Sequence, residues 1–95
     1  MPFLARSVRW EATFEAEIYA IEPDRPRADE ILSGLDWVIS RRPTHGVNIP
    51  GTDIWVDSIK DVPNMRQLFV FYRFSPVEVF FESVIALPLK KKNEP

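Results

Sequence analysis

Ninety-five residues suffice for one domain with a real core and are too few for two. Apolar residues make up 45% of the chain and aromatics 13%, ample material to set against the entropy of folding, while a net charge of −2 argues against nucleic-acid binding held by bulk electrostatics. The chain has no cysteine, which removes disulfides, thiolate catalysis and cysteine-based zinc sites. Its single histidine has no visible carboxylate set around it, so no metal and no cofactor is expected.

No apolar run approaches the ~20 residues a membrane helix needs, and Arg6 and Arg9 precede no signal-peptide core. A cytoplasmic protein without a membrane partner is expected. Acidic residues gather in the first 36 positions, whereas basic ones appear at Arg41 and Arg42, at Lys60, Arg66 and Arg73, and at Lys90 to Lys92. A single domain is predicted over 1–89, with 90–95 as a basic, solvated tail.

In chain order, Val8 to Trp10 begins a strand. Thr13 offers a capping hydroxyl, and Phe14, Ile18 and Ile21 recur at helical spacing, which predicts a short helix over Thr13–Ile21. The alternation of Trp10, Ala12, Phe14, Ala16 and Ile18 keeps a continuing strand open as the competitor. Pro23 and Pro26 interrupt the pattern, and Asp24 stands where it would cap a second helix.

In that second helix Ala28, Ile31, Leu32, Leu35, Val38 and Ile39 follow the i, i+3, i+4, i+7 rule. Arg41 and Arg42 favour its negative C-terminal end and Pro43 stops it. Gly34 in its middle reads either as a close approach to the sheet or as plain tolerance. Thr44 to Thr52, with Gly46, Asn48, Pro50 and Gly51, is predicted as a loop, and Asp53 to Lys60 as a strand with Ile54 and Val56 set against Trp55 and Asp57.

Arg66 to Leu87 reads as an antiparallel hairpin at the centre of the sheet. Leu68, Val70, Tyr72 and Phe74 share one face of its first strand and Gln67, Phe69, Phe71 and Arg73 the other. In the second strand Val77, Val79, Phe81, Ile85 and Leu87 form one row, and Glu78, Phe80, Glu82, Val84 and Ala86 the other. Only an even-numbered loop brings the two apolar rows to one side, and because Pro76 fits a two-residue turn poorly, four residues are predicted. A two-residue loop would instead set Arg73 opposite Glu78. Aromatic residues on both faces mark central strands.

The order strand, two helices, three strands predicts an α+β fold with the helices on one face of a mostly antiparallel sheet. That order and three phrases resemble the RelE/ParE toxin superfamily of bacterial toxin–antitoxin systems. The phrases are Trp10-Glu11-Ala12-Thr13-Phe14-Glu15-Ala16-Glu17 after the opening strand, Leu35-Asp36-Trp37-Val38-Ile39-Ser40-Arg41-Arg42-Pro43 closing the second helix, and Val70-Phe71-Tyr72-Arg73-Phe74 followed by Val77-Glu78-Val79-Phe80-Phe81 in the hairpin. The resemblance implies a toxin neutralised by a cognate antitoxin protein. Its target would be ribosome-bound messenger RNA, cut without metal, or DNA gyrase, inhibited without catalysis.

The nuclease branch needs cations on the scissile phosphate and a proton donor and acceptor. The resemblance therefore nominates Arg66, Arg73, Lys60 and His45 as catalytic and Lys90 and Lys91 as RNA-binding. The pattern departs from that branch at Phe69, where an arginine is common, and after the last strand, where lysines stand without Tyr or His. Those departures keep the gyrase reading open, together with a non-toxic interaction domain on the same fold. Each nominee also has a plainer reading: solvated strand-end arginines, an exposed loop histidine, a solubility tail. Tyr72, by parity with Leu68 and Val70, belongs to the core. Trp37 and Trp55 are the candidate antitoxin anchors, with peripheral core packing as the plainer reading.

Overall fold

The computed structural model describes residues 6–60 and 66–87. Its elements are β1 (Ser7–Trp10), α1 (Ala12–Ile21), α2 (Arg25–Arg41), a one-turn 3₁₀ helix (Pro43–His45), β2 (Val47–Asn48), β3 (Trp55–Ile59), β4 (Leu68–Phe74) and β5 (Glu78–Ala86). They form a five-stranded sheet in the order β1-β5-β4-β3-β2. β1 runs parallel to β5 and every other pairing is antiparallel, with the β4–β5 hairpin inside the sheet as its two aromatic faces predict.

Residues 12–21 are helical, which decides against the competing strand, because helical spacing turns Phe14 and Ile18 inward together. Thr13 lies inside the first turn and Glu11 is the capping residue, so the expected threonine cap does not form. Asp24 does stand at the N-cap of α2, but its side chain makes no capping bond. The predicted 44–52 loop contains the end of the 3₁₀ turn and the two-residue strand β2, because Val47 and Asn48 pair with Val56 and Trp55.

The core lies on the helix-covered face of the sheet. Leu68, Val70 and Tyr72 from β4 and Val79 and Phe81 from β5 are fully buried against Phe14, Ile18, Leu35 and Ile39. Its centre is an aromatic stack in which Trp10 lies 4.5 Å from Phe81 and 5.4 Å from Phe14, centroid to centroid.

The hairpin connection has the expected even length. Phe74 and Val79 are the last paired residues, the Ser75 N–H donates to the Glu78 carbonyl, and Ser75 Oγ accepts from the Glu78 N–H at 3.1 Å. Beyond that point β5 departs from simple alternation. Tyr72 faces Phe81 whereas Phe71 faces Ser83, so Glu82 is the extra residue of a β-bulge. The bulge reverses parity: Val84 is buried and Ala86 packs on the core, while Ile85 and Leu87, expected inside, are 49% and 41% exposed.

Glu17 on α1 fastens the bulge. Its carboxylate accepts from the Val84 N–H at 3.1 Å and from the Ser83 hydroxyl at 3.2 Å, beyond the end of β1, where among the described residues β5 has a strand on its β4 side alone. The four-residue loop decides what Arg73 faces. The arginine stands across from Phe80 and bonds Glu82 at 2.5 Å, while Glu78 pairs with Arg9 at 3.0 Å.

Candidate functional site

A groove of about 490 Å³ opens between α2 and β3. Its floor is apolar, formed by Ile31, Leu35 and Val38 of α2 and Ile59 of β3, and its polar side carries His45, Asp57 and Lys60. The groove exists because α2 turns its apolar stripe toward the sheet while β2 is too short to close the outer edge of β3. Gly34 lies over it. A Cβ added there meets no atom within 4 Å, which decides for plain tolerance and against a close helix–sheet approach.

The loop beneath the groove is tied to the core through Tyr72. The buried Tyr72 hydroxyl donates to the Pro43 carbonyl at 2.5 Å and accepts from the Gly46 N–H at 3.2 Å. Burial pushes this hydroxyl up to about 12; the Gly46 N–H opposes the shift and the nearby Asp57 charge adds to it. Gly46 is required by contact, since a Cβ there would stand 2.5 Å from the Val56 carbonyl oxygen and 2.7 Å from Tyr72 Oη. Parity correctly assigned Tyr72 to the core, and its further work is to position the segment that carries His45.

His45 Nδ1 donates to Asp57 Oδ2 at 2.6 Å. A carboxylate accepts only, so this bond places a ring proton on Nδ1 and turns Nε2 away from Asp57. The other carboxylate oxygen, Asp57 Oδ1, accepts from the Ser58 N–H at 2.8 Å. A histidine oriented by a carboxylate in a groove edged by a lysine has the components of proton transfer beside an anion.

The nominated residues do not converge on one point. His45 and Lys60 line the same groove. Arg73 is on the opposite face of the sheet, 2.5 Å from Glu82 and 3.7 Å from Asp53, with its guanidinium over the Phe80 ring. Arg66 is half-buried just before β4. Lys90 and Lys91 lie outside the described residues. Trp37 is 62% exposed on α2 and carries the Arg41 guanidinium 4.3 Å above its ring, whereas Trp55 packs at the core margin, 5.4 Å from Phe74.

Asp57 was not among the residues nominated from sequence. Its signal was a carboxylate at the inward parity of β3, in step with Trp55, but the twelve residues separating it from His45 hide the pairing. Among the described residues no group of three or more His, Cys, Asp or Glu could hold a metal ion, and no helix is long and apolar enough to cross a membrane.

Neither a family model nor a curated protein sequence matches the chain. In three dimensions it is similar to the toxin–antitoxin complex RelBE2 of Mycobacterium tuberculosis, with a TM-score of 0.67 over 90% of this chain and 95% of that one, at 12% sequence identity. The chain therefore shares the fold of that neighbour: two helices on a five-stranded, mostly antiparallel sheet, the α+β architecture expected from the sequence.

Proposed function

We propose that this chain is the toxin-like component of a two-protein toxin–antitoxin system and is held in check by a cognate antitoxin protein. The observation that carries this reading is the fold, which matches one chain of a toxin–antitoxin complex over 90% of this chain and 95% of that one. A half-open groove with an apolar floor adds to it, since such a surface suits a protein segment better than a small polar ligand.

Metal-independent cleavage of messenger RNA on the ribosome is the second reading. In its favour, His45 and Lys60 share one groove and Asp57 orients the imidazole through Nδ1, leaving Nε2 as the ring nitrogen for proton transfer. Lys60 would contact the phosphate there. Arg73, already bonded to Glu82, and Phe69 on the same outer face favour instead a non-enzymatic inhibitor of DNA gyrase, which needs no phosphate clamp.

Inducible expression in a bacterial host, with and without the protein encoded in the adjoining reading frame, tests the proposal. Growth arrest relieved by co-expression is the expected result, and no arrest would mark a non-toxic interaction domain. Cleaved transcripts select the nuclease, and DNA damage with intact transcripts selects gyrase. His45→Ala should abolish cleavage in the first case and leave arrest intact in the second.

A further inference from the structure

The bulge at Glu82 changes what β5 shows to solvent. It turns Ile85 and Leu87, which simple alternation would bury, onto the face of the sheet that neither helix covers, where they are 49% and 41% exposed. Strand pairing sets other apolar residues beside them. Val47, Val56 and Phe71 make one row, Phe69 and Ile85 the next, and Phe80 lies between Arg73 and Arg9 in the row nearest the hairpin turn. Both helices pack on the opposite face, so among the described residues these rows have no cover, and Val47 is 72% exposed.

The charges on this face limit what can cover it. Arg9 pairs with Glu78 at 3.0 Å, and Arg73 bonds Glu82 at 2.5 Å with Asp53 3.7 Å away, so both arginines are balanced by carboxylates and neither is left over for a phosphate backbone. A strongly charged protein surface finds no complement here either. The face does match itself. Its charges lie at the hairpin-turn end and its apolar rows run away from them, so a two-fold axis near Phe69 and Phe71 lays apolar row on apolar row and carries the two charged ends apart. Five strands about 4.8 Å apart span about 20 Å, and two such faces in contact bury on the order of 1,000 Å², the least that a specific interface needs.

We infer that this chain forms a two-fold dimer through the uncovered face of its sheet, with Phe69, Phe71 and Ile85 of each copy at the centre. The two sheets then lie about 10 Å apart, as in a β-sandwich, with the helices outside. The α2–β3 groove is on the helix side of the sheet, so it stays open in the dimer, and the inference does not depend on what the groove receives.

Analytical ultracentrifugation of the full-length chain tests this. The wild type should show a mass that rises with concentration from 11.1 kDa toward twice that value. Ile85→Glu sets like charges into the apolar centre, and Ser58→Glu does so from the position across from Phe69; each should weaken the dimer by about tenfold or more. Ser58 is an exposed polar residue, so its variant keeps the fold even where Ile85→Glu does not, and thermal melts verify both. Trp37→Ser alters an exposed aromatic on α2, away from this face, and should leave the dimer as it was.

A wild type that stays monomeric overturns the inference, as does a dimer that survives both glutamates or is dissolved by Trp37→Ser instead. A monomeric wild type whose glutamate variants lose affinity for the protein encoded in the adjoining reading frame gives the face to that partner and overturns the second copy.

Discussion

The two flanks of the helix layer are finished in opposite ways. On the β1–β5 flank, α1 lies over strands paired along the length of β1, Trp10, Phe14 and Phe81 stack, and Glu17 takes up the backbone donor left by the bulge. On the β3 flank, α2 overhangs a strand paired with only two residues of β2, and the space between holds a groove with a glycine at its mouth. On the first flank the aromatic stack is covered and the donors at the bulge are bonded; the second leaves apolar side chains and strand-edge groups exposed along one line. The contrast separates a region built for stability from one available for recognition.

Substitutions should divide along that boundary. Phe81→Ala strikes the centre of the sealed flank and removes a fully buried ring in contact with three other aromatics. A loss of about 3–5 kcal/mol is expected in urea denaturation, a large part of the stability of a domain this size. Tyr72→Phe is next, since it leaves the Gly46 N–H and Pro43 carbonyl without their partner, at roughly 1–3 kcal/mol.

Tyr72 also has a signature in pH. Its hydroxyl is raised from the ordinary 10 to about 12, so the folded state favours the neutral phenol. The stabilisation is complete below pH 10 and is lost as pH rises through 12. Denaturation midpoints of the wild type should fall across that window, and those of Tyr72→Phe should fall less. Glu17→Ala, which frees the Val84 N–H and Ser83 hydroxyl, should cost roughly 1–2 kcal/mol and increase amide exchange at Val84. At the other extreme, Gly34→Leu on the open flank should raise stability by up to ~1 kcal/mol through helix propensity alone.

The sealed flank was also the more legible in sequence. Parity placed Tyr72 inside and the even loop brought the two apolar rows together, because each follows from local periodicity. Parity then failed at Glu82. The row Phe81, Ser83, Ile85 has a polar residue between apolar ones, which is the trace of the bulge, but its cause is the carboxylate of Glu17, 66 residues away from Ser83.

The open flank was read less well for the same reason. His45 was visible as a lone titratable residue, yet its orientation depends on Asp57 in another strand, and Gly34 read equally as contact or tolerance until the fold showed open space. Neither fact is local in sequence. Lys60 was nominated and lines the groove, and Arg73 was nominated without the two carboxylates that flank it, since their proximity depends on register.

The most direct test of the division between flanks is residue-resolved amide hydrogen exchange of the chain alone and bound to the protein of the adjoining reading frame. Binding is predicted to slow exchange at Ser58 and Lys60 and to leave the amides of Phe81 and Val84 as they were. Protection concentrated on β1 and β5, with Ser58 and Lys60 unchanged, would contradict the account.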